Sequence, residues 1–133
     1  MRVVLTGGGT GGHVIPNLAV IEELKGRKGV ELLYIGSRRG VERKLVLGVG
    51  LQYCGIFCGK WRRYFSFENF VDIFKMPIGV VQALVILKSF KPSVVFSKGG
   101  FVSMPVVFAA GCLRVPVILH ESDVVPGLAN KIC

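Results

Sequence analysis

No apolar run in this sequence is long enough to cross a bilayer. The longest, Met76 to Leu87, is interrupted by Pro77, Gly79 and Gln82 and falls well short of the roughly 20 residues that a spanning helix needs. A secretory signal is also missing, because Met1-Arg2 leads straight into a short strand-like segment and then glycines. The expectation is a soluble or peripheral protein. Four cysteines, Cys54, Cys58, Cys112 and Cys133, follow no zinc spacing, since the Cys54/Cys58 pair has no second pair to complete it. Cys112 lies in an apolar run and reads as a buried free thiol. Disulfides are not expected in a reducing compartment. Two histidines with Glu121 match no ligand pattern, so neither a metal nor a cofactor is expected.

Acidic residues are scarce. Eight Asp and Glu face 17 Lys and Arg, a formal net charge of +9. The partner should therefore be anionic: nucleic acid, a phosphorylated substrate or acidic lipid. Internal repeats and low-complexity linkers are absent, and a chain of 133 residues suits one domain. With 51% hydrophobic residues and 18 glycines, disorder is excluded and an α/β domain with glycine-built turns is favoured.

Short β-branched runs alternate with longer helical ones, which predicts βαβ units, a Rossmann-like parallel sheet and helices on both faces. Strands are predicted at Val3–Thr6, Glu31–Gly36, Leu51–Phe57, Val94–Ser97 and Val117–His120, and helices at Val14–Lys25, Val41–Leu47, Glu68–Phe90 and Val102–Leu113. In the first helix, Val14, Leu18, Ile21 and Leu24 recur at spacings of three and four and make one apolar stripe. Pro77 should kink or break the long helix. A last helix begins near Pro126, and the chain stops at Cys133 without a capping signal. The expectation is a truncated single domain spanning 1–133.

Two glycine turns carry the chemistry. Gly7-Gly8-Gly9-Thr10-Gly11-Gly12-His13 joins the first strand to the first helix. Its free N–H groups and the positive pole of the helix favour a phosphate or diphosphate. Formally, Gly7-x-Gly9-x-x-Gly12 matches a dinucleotide fingerprint. The second strand, however, ends Gly36-Ser37-Arg38-Arg39 with no carboxylate for a ribose. Those arginines keep an NADP 2′-phosphate open as an alternative. A P-loop is excluded, because no Gly-Lys-Ser/Thr follows. The second turn, Ser97-Lys98-Gly99-Gly100-Phe101-Val102-Ser103, follows the fourth strand. In an open parallel sheet it shares an edge with the first. Lys98 adds a charge and Ser103 a hydroxyl. His120-Glu121-Ser122-Asp123 ends the fifth strand at that edge, and both histidines of the chain fall there. His13 and Glu121 are candidate bases for an attacking hydroxyl. Each also has a plain structural reading, His13 orienting its loop and Glu121 holding loop amides, while Asp123 reads best as a helix cap.

Together, Gly8-Gly9-Thr10-Gly11-Gly12-His13 with Pro16, Lys91-Pro92 before a valine strand, Gly99-Gly100-Phe101-Val102-Ser103 with Pro105, and Val115-Pro116-Val117 running into His120-Glu121 resemble the MurG family of glycosyltransferases (family 28) along the whole chain. The resemblance implies the amino-terminal, acceptor-binding half of a GT-B fold. It also implies inverting transfer of GlcNAc from UDP-GlcNAc to undecaprenyl-diphosphate-linked MurNAc-pentapeptide, lipid I to lipid II in peptidoglycan synthesis. It assigns catalysis to His13 and Glu121, and the acceptor diphosphate to Gly8, Gly9, Thr10, Gly11, Gly12, Lys98, Gly99, Gly100 and Ser103. Donor contacts fall to Thr10, Gly11, Gly12 and Asp123. The family usually reads His-Glu-Gln-Asn where this chain has His120-Glu121-Ser122-Asp123, which puts a carboxylate near an anionic nucleotide. A carboxy-terminal donor-binding domain is missing from the sequence, so a separate donor-binding domain or chain is the implied partner. A non-catalytic membrane-recruiting subunit stays open as a further alternative.

Between the two turns, Lys60-Trp61-Arg62-Arg63-Tyr64-Phe65-Ser66-Phe67 mixes cations with rings. Such a mixture suits an anionic headgroup boundary, with Lys60, Trp61, Arg62, Arg63 and Phe65 as the contacts. Burial of the rings in the core ranks second and single-stranded nucleic acid last, so no nucleic-acid partner is expected. Location at the cytoplasmic face of the cell membrane, as a peripheral protein, follows from the resemblance.

Overall fold

A computed structural model of the chain describes residues 1–9, 11–59 and 67–120. Strand and helix alternate: β1 (Arg2–Thr6), α1 (Gly11–Lys25), β2 (Glu31–Ser37), α2 (Val41–Gly48), β3 (Tyr53–Ile56), α3 (Phe67–Phe90), β4 (Val94–Ser97), α4 (Met104–Cys112) and β5 (Val117–Leu119). All pairings are parallel, in the order β3-β2-β1-β4-β5. The chain winds from β1 outward to β3, then crosses back to lay β4 on the other side of β1. That reversal sets the loops after β1 and β4 side by side, at the switch point where open α/β sheets bind ligands.

Parallel strands need cover on both faces, and side-chain alternation supplies two cores. Val4, Leu33, Ile35, Ile56 and Val95 pack on Ala83 and Leu87 of α3 and on Val106, Ala109 and Ala110 of α4. Val3, Leu5 and Tyr34 face the other way, onto Ile21 of α1, Val46 of α2 and Leu51. The α/β class, with helices on both faces, stands as expected.

Several boundaries differ from the sequence reading, each for a physical reason. α1 begins at Gly11 rather than Val14, because the low helix propensity of glycine hides the first turn. β3 is the shorter Tyr53–Ile56, and Leu51 leaves the ladder to fill the α1/α2 core. α4 starts at Met104, with Pro105 in its first turn, where a missing N–H is tolerated. β5 ends at Leu119, although His120 N–H still donates to the Ser97 carbonyl at 2.8 Å. The Cys112 thiol, expected in the core, is exposed on α4. The helix near Pro126 lies outside the described residues.

α3 runs for 24 residues, close to the expected Glu68–Phe90, and continues through Pro77, where a kink or break was expected. Its Gly79 presses against the Phe57 carbonyl, where any Cβ would collide. Ala83 and Leu87 on that side are buried. The opposite side carries Phe70, Phe74, Ile78, Val81 and Val85, all between 49% and 64% exposed. At steps of three and four these form one apolar stripe about 22 Å long, at 1.5 Å per residue. Phe70 and Phe74 meet edge to face at 5.5 Å.

Candidate functional site

The two glycine turns touch. Gly9 and Gly100 both hold left-handed backbone, at φ 93° and 84°, which L side chains rarely adopt. Close approach excludes a side chain at either position as well. A Cβ on Gly100 would strike the Gly8 carbonyl oxygen and stand 3.3 Å from His13 Cδ2. A Cβ on Gly9 would run into the Phe101 ring, 2.9 Å from Cδ1. The β1 and β4 loops therefore meet backbone to backbone, with the His13 ring at their junction. His120 lies at the same edge, its ring 6.1 Å from that of Phe96. The expected convergence of the two turns with the end of the fifth strand is met as far as His120.

Below the first turn lies a polar layer. Asn17 Nδ2 donates to the Thr6 carbonyl at 3.2 Å and to the Tyr34 hydroxyl at 3.0 Å, and that hydroxyl donates to the Gly7 carbonyl at 2.7 Å. Tyr34 thus pins the turn from beneath. Tyr34→Phe should cost about 1–3 kcal/mol by stripping a partner from buried groups. Urea unfolding measures this, and an unchanged midpoint would discount the pin. Tyr53 stacks on Tyr34 at 5.8 Å and donates to the Ser37 carbonyl at 2.6 Å. Burial, with Glu42 adding, holds both phenols well above their usual range, so they stay protonated donors. Burial, and then Glu42, push the Cys58 thiol up to about 12.

Among the described residues, five buried side-chain polar atoms have no hydrogen-bond partner: Thr6 Oγ1, His13 Nδ1, Asn17 Oδ1, Glu42 Oε2 and Ser97 Oγ. Thr6 and Ser97 end β1 and β4, His13 lies in the first turn of α1, Asn17 in its second turn reaches the Thr6 carbonyl, and Glu42 opens α2. All five therefore sit at one edge of the sheet. Each such atom costs about 1–3 kcal/mol, and an accumulation of them calls for a functional explanation.

The remaining sequence-predicted residues fall as follows. Gly8 is buried in the first turn, Gly9 is exposed, and Gly11 and Gly12 form the start of α1, with Gly12 exposed. Lys98 is fully buried behind the turns, its Cβ 3.1 Å from where a Gly7 Cβ would stand. Gly99 is buried beside it. Ser103 is also buried, and its hydroxyl donates to the Gly100 carbonyl at 2.8 Å, so its proton shapes the turn. Thr10, Glu121 and Asp123 lie outside the described residues, as do Lys60, Trp61, Arg62, Arg63 and Phe65. No group of His, Cys, Asp or Glu among the described residues is arranged to hold a metal, and none of their helices is long and apolar enough to cross a membrane.

Two residues of the site escaped the sequence reading. Asn17 lies three after Val14 and four before Ile21, the spacing of the buried stripe, and that was its signal. Glu42 is fully buried, and only the glycines at 36 and 40 around it hinted at a close approach.

The chain is similar to known transferases over nearly its whole length. It is 56% identical over 131 residues to the UDP-N-acetylglucosamine--N-acetylmuramyl-(pentapeptide) pyrophosphoryl-undecaprenol N-acetylglucosamine transferase of Clostridium botulinum, covering 98% of this chain and 37% of that protein. To the Treponema pallidum protein of the same name it is 52% identical over 130 residues, covering 98% and 34%. The chain thus spans about a third of the length of these relatives. Acinetobacter baumannii MurG superposes with a TM-score of 0.81 at 29% identity, covering 98% of this chain and 37% of that one. The glycosyltransferase SsfS6 of Streptomyces sp. SF2575 superposes at 0.71 with 19% identity, covering 99% and 42%, a likeness of fold alone. These findings displace the NADP-binding alternative that rested on the first glycine turn and Arg38. Residues 3–133 match the glycosyltransferase family 28 N-terminal domain, and the chain belongs to that family.

Proposed function

We propose that this chain is the acceptor side of a transferase that moves GlcNAc from UDP-GlcNAc onto a lipid-diphosphate-linked MurNAc-pentapeptide, at the cytoplasmic face of the membrane. The observation that supports this most is the contact of the two glycine turns over a layer of buried polar atoms without partners among the described residues. Amides of Gly8, Gly9, Gly11, Gly12, Gly99 and Gly100, the positive pole of α1 and the Lys98 charge suit a diphosphate. In the reaction the acceptor hydroxyl attacks the anomeric carbon, the bond to UDP breaks with inversion, and UDP leaves. The hydroxyl proton passes to His13 or Glu121. Thr10, Gly11, Gly12 and Asp123 are the proposed donor contacts from this side. The remaining donor contacts belong to a separate domain or chain. Binding of a short-chain prenyl diphosphate, unaffected by NADPH, is the expected result. Binding of NADPH in its place would reverse the assignment.

The apolar stripe on α3 supports docking to the bilayer that holds the acceptor's tail. It follows the basic, aromatic segment of Lys60, Trp61, Arg62, Arg63 and Phe65 directly in sequence. A helix with one apolar face and neighbouring cations lies in the interface rather than across it. Phe74 and Val81 are 62% and 59% exposed, so replacing both by aspartate should leave the fold intact and lower partition onto phosphatidylserine vesicles by about tenfold or more. Raising salt should weaken wild-type binding as well. Partition unchanged by the double substitution would remove the stripe from the membrane contact.

A further inference from the structure

We propose that Glu42 is a positioning residue that sets the height of the first glycine turn. This rests on the diphosphate reading of that turn. Glu42 opens α2, yet its side chain is fully buried. Oε1 accepts from both the backbone N–H of Ser37, at 3.0 Å, and the Ser37 hydroxyl, at 2.5 Å. The carboxyl group fills the space that side chains at Gly8 and Gly40 would take, and the Glu42 methylene lies beside Gly36, where the Tyr53 hydroxyl stands closer still. A Cβ on Gly8 would lie 2.6 Å from Glu42 Cδ, a Cβ on Gly36 3.1 Å from Glu42 Cγ, and a Cβ on Gly40 would overlap Glu42 Oε2.

Gly8 belongs to the turn that meets Gly100, whereas Gly36 and Gly40 flank the loop that carries Arg38 and Arg39. One carboxyl group therefore spans the gap between the β1 and β2 loops. Its fixed end is the Ser37 pair of hydrogen bonds, and its other oxygen, without a partner among the described residues, faces Gly8 and Gly40. The first turn cannot settle toward β2 while this group is in place. That constraint keeps the Gly8 carbonyl against Gly100 and the two sets of turn amides on one target. Shape and reach carry the role: glutamine preserves both, and aspartate withdraws the group by one methylene.

The test is calorimetric titration of inorganic pyrophosphate into the whole chain, paired with amide-resolved NMR of its glycines. Glu42→Asp should weaken pyrophosphate by about tenfold and move the Gly7, Gly8 and Gly9 amide signals, since small displacements of a positioned group are costly. Glu42→Gln should return both to near wild type. Wild-type affinity together with unmoved glycine signals in Glu42→Asp would overturn the proposal, and so would a Glu42→Gln chain that behaves like Glu42→Asp. If the wild-type chain ignores pyrophosphate, the diphosphate reading fails. The positioning role is then decided by the glycine signals alone, moved in Glu42→Asp to support it and unmoved to overturn it.

Discussion

Gly100→Ala is expected to lower diphosphate affinity by about 100-fold or more while leaving the sheet folded. Two costs add at this position. Its φ of 84° lies where an L side chain carries about 1–3 kcal/mol of strain. The new Cβ would also strike the Gly8 carbonyl oxygen, a backbone atom that cannot rotate away as a side chain can. Relief requires the two turns to part, and parting them separates the amides proposed to share one ligand. Titration calorimetry measures the loss, with circular dichroism confirming the fold. Full affinity in the variant would show that the contact between the turns is incidental to binding.

His13→Ala is expected to cut turnover by about 100-fold or more when the donor-binding side is supplied. His13 sits at the junction of the turns, its ring against Gly100 and its buried Nδ1 without a partner among the described residues. A ring needed only for packing would have little use for a nitrogen left unpaired at a polar edge. Steady-state rates at saturating acceptor separate the roles. A kcat near wild type with a raised KM would leave His13 as an orienting group and shift the proton transfer to Glu121.

Much of this architecture was legible in the residues because it depends on patterns with a period. The β-branched runs gave β1, β2 and β4 to within a residue at each end, since strands buried on both faces are continuously apolar. Parallel pairing then placed both glycine turns on one edge. Less legible were features fixed by contacts between distant segments. Pro77 argued for a kink or break within the helix expected over Glu68–Phe90, yet α3 continues through it, its buried side and Gly79 held against the sheet and the Phe57 carbonyl. Glu42 follows two arginines by a few residues and reads as a solvated charge at a helix start. Its burial depends on Gly8 and Gly40, whose missing side chains leave room for its carboxyl group and which only the fold brings together. Cys112 shows the converse, an apolar run whose last turn faces outward.

The most direct test of the central claim is a map of amide shifts as inorganic pyrophosphate is added to the chain. The largest changes are expected on Gly7–Gly12 and on Lys98–Ser103 together, with the strand starts at Arg2 and Glu31 unmoved. Shifts confined to the Arg38 and Arg39 loop, or to either turn without the other, would contradict it.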